Sequence, residues 1–524
     1  MQFYSLAFIL FTALCMGIYY AGPVRKRGGQ WIVLLAASLF YYALMGGGKA
    51  FFFILVTAAT TYAAGRLFSS FTGAYKEAKK GADRETKKAL KKAYLLKKRT
   101  ALIVVLLINF GTLAALKYVG ALKPSLFGAE SAAGLVLPIG ISFYTFQSVS
   151  YVIDTYSGKY PAERNFLCYL LFVSFFPQIL QGPINRYDAL APQLSAEHGW
   201  KFSSFAEGLL RILYGFLKKY AIANLLAPVI ADLLDTGDPS VPGSAVVLGI
   251  LLYSAQQYAD FSGGIDIVIG VADLFDIHMA ENFRQPYFAV SLGDFWRRWH
   301  ITLGTWMRDY VFYPFALTKA MQRFGKWAGK HQGKHAGRTL PACVANILVF
   351  FIVGIWHGPE EHYIAWGLYN GLVIAGSDLL APAFARLAAA LHMNTESKGF
   401  HVFRIIRTFV IVNIGWYFDR IYDFSHRAHC FKNTFFHFDL RGGIAMLRAI
   451  TDVQHLGVTL AFSLFACLVV FVISVVKERG TDVGRSLYAK KAVPAAFVLA
   501  CGALIVLVGF GLESVPGGFL YANF

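Results

Sequence analysis

Apolar residues in this chain fall in runs too long for most soluble core helices, and short clusters of lysine and arginine separate the runs. Such stretches lie at roughly 4–22, 30–46, 50–70 and 101–121, then at roughly 341–356, 362–381, 402–419, 456–476 and 493–512. Each approaches or exceeds the roughly 17–25 residues that a helix needs to cross a bilayer. Thr339 to Trp356 contains no charged residue at all. The period-two alternation of a membrane barrel is not evident, so the pattern predicts an all-α polytopic membrane protein.

Residues 135–315 read differently. Their apolar stretches are interrupted by Pro138, Pro177, Pro183, Lys218, Lys219, Asp260, Asp266 and several glycines. Broken helices at membrane depth are tolerated only where protein buries them or where they line a watery cavity. Re-entrant or kinked segments are therefore expected here, and the number of crossings stays open. No internal repeat of the kind that marks many transporters is evident.

Composition sharpens the picture. Only 15% of the 524 residues are charged, against about a quarter in soluble domains. The net charge of +19 would suit a nucleic-acid partner, but its distribution does not. Residues 76–99 hold 11 Lys/Arg against 3 Asp/Glu, beside an apolar run and without base-stacking aromatics or base-reading motifs. Such a cluster marks a cytoplasmic loop in contact with membrane lipid, as do Arg25, Lys26 and Arg27. The N-terminus is then outside, and its apolar run, with no preceding basic residue, reads as a retained span. Residues 319–338 carry six basic residues and no acid, and 477–491 are net basic. Four runs lie between those two loops, so parity holds and His357 falls at the outward end of its span.

Chemical motifs are sparse. No GxGxxG after a strand, GxxxxGK[ST], GxSxG or HExxH occurs, and the six cysteines form no CxxC pair. His426, His429 and Cys430 have metal-ligand character, but their aromatic external-loop setting argues against a metal. Ionisable residues within apolar sequence are the better guide to function. QQYADFSGGIDIVIG (256–270) places Asp260 and Asp266 six apart across Gly263-Gly264. This suggests a helix break whose carboxylates meet backbone donors or arginines, or else a polar cavity wall. ENFRQPYFAVSLGDFWRRWHITLGTWMRDYVFYPF (281–315) offers an Asp294–Arg298 helical pair. Trp299, Leu303, Trp306 and Tyr310 there would share one helical face, with His300 beside Trp296 and Gly304 on another. FFIVGIWHGPEEHY (351–364) ends an apolar run on Trp356-His357-Gly358. By itself His357 is a helix-end polar group or a proton-transfer catalyst. Glu360 and Glu361 are placed to orient its ring, and Gly358 leaves it accessible.

Together, LPIGISFYTFQSVSYVIDTYSG (137–158), FFPQILQGPINRY (175–187), the 256–270 and 281–315 segments and GIWHG (354–358) resemble the bacterial membrane-bound O-acyltransferases. The resemblance spans roughly residues 1–420 and is strongest to the alginate O-acetylase branch, with the teichoic acid D-alanyl transferases as relatives. It implies a ring of roughly 11–13 transmembrane helices with re-entrant or broken helices around a central tunnel. It also implies N-terminal spans over 1–134, a catalytic core over 135–420, and an external loop with C-terminal spans over 421–524. His357 matches the family's essential catalytic histidine and His300 its second histidine. Trp299, Arg297, Arg298, Trp356, Asp260 and Asp309 become candidates for lining the tunnel or holding substrate. No metal and no bound cofactor are implied. The acyl donor would be acetyl-CoA or a phosphopantetheine carrier thioester.

Two departures leave the acceptor open. Gly264 stands where alginate members usually carry tyrosine, and NIGWYFDRIYDF (413–424) is not their usual ending. Transfer to an extracytoplasmic polysaccharide or cell-wall polymer, perhaps completed by a separate secreted or anchored esterase-like partner, is the reading this resemblance supports. D-alanyl transfer to teichoic acid is its near alternative. A non-catalytic transporter is the distant one, because it leaves FWRRWH and WHG without a role. The compartment implied is the bacterial cytoplasmic membrane.

Overall fold

The computed structural model describes residues 6–119, 138, 140–179, 181–452, 456–489, 492 and 493. The last apolar run, near 493–512, lies almost wholly outside them. Among the described residues the chain is all helical, with a single isolated bridge, Phe283 to Trp299, as its only strand-like pairing. Four helices among the described residues are long and apolar enough to cross a membrane, or five if the bent pair Glu361–Leu379 with Ala381–Ala390 is counted as one span. The protein is a multi-pass membrane protein. Contacts divide it into two compact units, residues 1–212 with 267–280 and residues 213–266 with 281–524.

The first unit begins with α1 (Leu6–Tyr20), α2 (Gln30–Ala78) and α3 (Arg84–Ala114). The two runs expected at 30–46 and 50–70 are continuous in helical assignment, yet the chain closes on itself at Gly46. A Cβ there would lie 2.6 Å from that of Ala50, and the Tyr42 hydroxyl reaches the Ala50 carbonyl at 3.4 Å. The basic stretch expected as a loop is mostly helix. Lysine, arginine, alanine and leucine are good helix formers, so α2 and α3 extend into it. Asp83 caps α3 by accepting from the backbone N–H groups of Glu85 and Thr86 at 3.1 and 3.4 Å.

The unit continues through α4 (Ile141–Ser157), α5 (Phe166–Ser174), α6 (Tyr187–Ser195) and most of α7 (Phe202–Phe216). A carboxamide relay ties its irregular 175–187 segment down. Gln147 donates to the Phe172 carbonyl, Gln178 to Gln147 and Asn185 to Gln178, at 2.8, 3.2 and 2.9 Å. Such a chain supplies the partners that non-helical backbone needs at membrane depth.

The second unit takes the chain through a π-helical segment, Leu217–Asn224, then α8 (Leu225–Leu234) and α9 (Gly243–Asp273). The break expected at Gly263-Gly264 does not occur, and α9 runs through both glycines. Gly263 serves a different purpose. A Cβ there would lie 2.9 Å from the Gly215 carbonyl and 3.3 Å from Lys218 Cβ, so its absence lets the two helices close.

Short helices α10 (Leu292–Arg298) and α11 (Ile301–Met307) follow, then α12 (Lys319–His357), α13 (Glu361–Leu379) and α14 (Ala381–Ala390). The unit continues with α15 (Lys398–Arg420), α16 (Phe424–Phe436), α17 (Leu440–Thr451), α18 (Leu456–Glu478) and α19 (Val483–Ala489). The basic segment 319–338 is again helix, folded at Gly333, whose φ of 92° is left-handed. Gly325, Gly329 and Gly337 let its two arms touch backbone to backbone, for a Cβ on Gly337 would sit 2.6 Å from Gly329 Cα.

Candidate active site

Both candidate histidines lie in the second unit, at backbone breaks. His357 is the final residue of α12 and is 8% exposed. Its ring stacks on Tyr363, with centroids 5.7 Å apart and planes at 23°, and meets Trp366 edge-on at 5.1 Å. Trp356 closes a third side at 4.9 Å. This aromatic housing exists because α12 and α13 cross closely through glycines. A Cβ on Gly354 would lie 2.5 Å from the Tyr363 carbonyl, and one on Gly371 would lie 3.0 Å from Ile347 Cα. A Cβ on Gly358 would collide with the Glu360 carboxylate and the Tyr363 ring. Gly358 is thus required by packing as well as by access. Glu361 does not orient the imidazole: it binds the buried Arg427, which also donates to the Ile421 carbonyl at 2.7 Å.

His300 sits between α10 and α11 with φ 46°, a left-handed conformation uncommon for a residue with a side chain. The single continuous helical face expected for Trp299, Leu303, Trp306 and Tyr310 is therefore broken after Arg298. Leu303 and Trp306 are buried on α11, with the Tyr310 ring 5.1 Å from Trp306. Trp299, in extended conformation, instead packs on Phe295, Phe283 and Trp416 at 5.5, 5.1 and 5.6 Å. His300 is 3% exposed, with Phe261 of α9 edge-on to its ring at 4.9 Å. Its Nδ1 lies 3.1 Å from Asn282 Oδ1. One aromatic residue joins the two neighbourhoods. Trp296, four residues before His300, meets Trp366 at 5.4 Å, and Trp366 meets His357. Trp296 is fixed by donating its indole N–H to Asn370 at 3.0 Å.

The other candidates divide by setting. Trp356 and Trp299 belong to the aromatic surroundings of the two histidines. The pair expected between Asp294 and Arg298 forms at 3.1 Å, and Arg298 also grips Glu478 of α18 with two 2.9 Å contacts. Arg297 has a side chain 72% exposed and reaches Asp294 only at 3.7 Å. Asp309 pairs with Arg308 at 2.9 Å on a partly exposed π-helical turn. Asp260 is bound to Lys219, and Asp266 to Lys218, which also donates to Ser262 at 2.8 Å. The carboxylates thus meet two adjacent lysines of the π-helical segment. His426 Nε2 bonds to the Leu234 carbonyl at 2.7 Å and lies 3.7 Å from Cys430 Sγ, while His429 is exposed, so the three side chains do not converge on one point. Among the described residues no cluster of three metal-ligating side chains occurs.

Sequence reasoning passed over Asn282, Asn370, Tyr363 and Trp366. Asn282 stood inside ENFRQPYF, where a polar residue before a proline-ended extended piece was a usable signal.

A helical membrane protein with two buried imidazoles, each at a backbone break and walled by aromatic rings, is the class these features define. Residues 162–328 match the membrane-bound O-acyltransferase family, a stretch that includes His300 and ends before His357. Over that stretch, about a third of its length, the chain is similar to that family. It is 36% identical over 323 residues to the "Probable alginate O-acetylase AlgI" of Pseudomonas syringae pv. tomato, covering 60% of this chain and 56% of that protein. It is 31% identical over 312 residues to the peptidoglycan O-acetyltransferase of Helicobacter pylori, covering 55% and 54%. To the teichoic acid D-alanyltransferase of Bacillus subtilis it is 29% identical over 248 residues, covering 46% and 58%. The chain spans about half the length of the curated relatives it matches.

Proposed function

We propose that this chain is an O-acyltransferase that moves an acetyl group from a cytoplasmic thioester toward a hydroxyl of an extracytoplasmic polysaccharide or cell-wall polymer. The observation that carries the reading is His357, a buried imidazole held by three aromatic rings at the end of the uncharged 339–356 stretch of α12. Neutral imidazole is suited to taking a proton near physiological pH. As the acceptor oxygen attacks the thioester carbonyl, Nδ1 or Nε2 of His357 takes the hydroxyl proton. The tetrahedral intermediate collapses with cleavage of the carbon–sulfur bond, and the departing thiolate recovers a proton to leave as thiol. A positioned base of this kind is worth about 10²–10⁴-fold in rate.

The two acetyl-transferring relatives share more sequence with the chain than the D-alanyl relative does, which favours acetyl-CoA over a carrier-protein thioester as donor. The wider architecture in this proposal is a ring of helices about a path through the membrane of the bacterial cell, with the N-terminus outside. The donor enters from one face and the acceptor, or a separate acyl-carrying partner, from the other. The test compares base-labile acyl groups on surface polymers of cells carrying native protein, His357→Ala or neither. Mild alkali releases the acid and mass spectrometry identifies it. Acetate lost equally from the variant and the null, at unchanged protein level, is the expected result. Ester retained by His357→Ala overturns the assignment.

A further inference from the structure

Asn282 determines which nitrogen of His300 carries the proton. Its Oδ1 lies 3.0 Å from the backbone nitrogen of Thr302, 2.9 Å from the Thr302 hydroxyl and 3.1 Å from Nδ1 of His300. A backbone N–H can only donate. The amide therefore cannot be turned round, for that would set its NH₂ group against the Thr302 N–H. The imidazole nitrogen facing this oxygen must then be the protonated one, which leaves Nε2 of the neutral ring with a lone pair.

The arrangement is held at several points. Asn282 is fully buried, and its own carbonyl accepts from the Ile301 N–H at 3.0 Å. One residue on, Phe283 bridges Trp299, and the Arg284 N–H donates to the Arg298 carbonyl at 2.9 Å. Phe261 stands at 88° to the imidazole plane and limits its rotation. The left-handed backbone at His300 is conformationally costly, and it persists within this set of contacts.

We propose that Asn282 is a positioning residue that holds His300 as the Nδ1–H tautomer, so that its Nε2 acts toward the substrates as a hydrogen-bond acceptor and not as a donor to the carbonyl oxygen. The inference rests on the reading that acyl transfer takes place beside these histidines. It removes His300 Nε2 from the groups able to stabilise an oxyanion and leaves the proton of the attacking hydroxyl to His357.

The titratable and charged groups on the elements packed against His300 are Tyr258, Asp260 and Asp266 of α9, Glu281 and Arg284 beside Asn282, and Asp294, Arg297 and Arg298 of α10. Asp260, Asp266, Asp294 and Arg298 are all in ion pairs. Residues 301–307 carry no charge.

Asn282→Asp tests the assignment because the carboxylate still accepts from Thr302 but favours a charged imidazole. A carboxylate so close raises a neighbour's proton affinity by about 1–3 pH units. Membrane vesicles carrying the full chain are given acetyl-CoA, and thiol release above that of His357→Ala vesicles is followed against pH. The expected result is an acid limb moved upward by one or more units relative to the native protein. Asn282→Ala, which frees the ring, loses activity at every pH. An unmoved limb, or activity gained at acid pH, overturns the proposal. A second measurement does not depend on turnover: ¹⁵N NMR of the histidine-labelled full chain in lipid nanodiscs, with His300 identified by loss of its signals in His300→Gln. Protonated Nδ1 and bare Nε2 are expected, and the reverse overturns the proposal. Native vesicles that release no thiol count against the acetyl-thioester reading, and the NMR result then still decides the tautomer.

Discussion

Lys219 and Asp260 offer the sharpest test of whether a charge inside this membrane protein is structural. Their side chains are 3% and 2% exposed, and each is the other's ion-pair partner. Removing one partner of such a pair leaves an uncompensated buried charge and costs about 3–5 kcal/mol, whereas replacing both with apolar side chains is often neutral or better. Lys219→Leu and Asp260→Leu singly are therefore expected to destabilise the protein strongly, and the double variant to recover. At about 2 °C per kcal/mol for a large domain, each single change lowers the melting temperature by roughly 6–10 °C. The assay is the fraction of detergent-extracted protein that stays monodisperse after stepped heating, with surface ester measured on the same cells. Singles as stable as native would refute the reasoning, as would a double variant no better than either single. A double variant that is stable yet transfers no acetyl would show Asp260 acting on substrate, against the structural role argued here.

Gly358→Ala forces a methyl group into the Glu360 carboxylate and the Tyr363 ring, and is expected to cut ester formation at least tenfold while the protein still reaches the membrane. Trp296→Phe keeps the aromatic contact with Trp366 but leaves buried Asn370 without its indole donor, at about 1–3 kcal/mol, read as a lower melting temperature. In the first unit, burial pushes the Asp276 carboxyl up, but hydrogen bonds from Lys201, Ser204 and His198 outweigh it and hold the group below the usual carboxylate range. Its contribution is therefore full above a pH of about 4, the unfolded value, and is lost as pH falls through the folded one. The native melting temperature should drop more steeply between pH 5 and 3 than that of Asp276→Asn, and parallel curves would contradict this.

The membrane class was readable because a span needs length and apolarity, and runs such as Thr339 to Trp356 declare both without tertiary information. Asp294–Arg298 was equally local, being one turn of helix. The DFSGG segment misled because glycine was taken as a breaker. In α9 its role is contact, and only the position of Gly215 on another helix reveals that. The lysine partners of Asp260 and Asp266 were hidden for a related reason. Lys218 and Lys219 lie far from these aspartates in sequence, and nothing in LKKYAIAN announces the π-helical segment that carries them. The basic segments at 76–99 and 319–338 were correctly seen as charged and wrongly seen as loops. Charge sets which side of a membrane a segment prefers, whereas helix propensity sets its backbone, and lysine and alanine favour helix.

His300 shows how a site can depart from local rules in a way that the surrounding sequence supports. FWRRWH followed by ITLGTW reads as one helix by propensity, and a single helix would put Trp299 in line with Leu303 and bury neither imidazole nitrogen against Asn282. The chain instead ends α10 at Arg298, which is tied to Asp294 behind it and to Glu478 on α18. It restarts at Ile301, whose N–H is taken by the Asn282 carbonyl. Ser291 caps the first helix, with Asp294 N–H donating to its hydroxyl at 3.1 Å, so its register is set from the other end as well. Two short helices thus fixed at both junctions leave Trp299 and His300 to bridge them, and a left-handed residue makes the turn. The consequence is chemical: the turn directs Nδ1 of the ring to Asn282 Oδ1 at 3.1 Å, a contact that a continuous helix would not make.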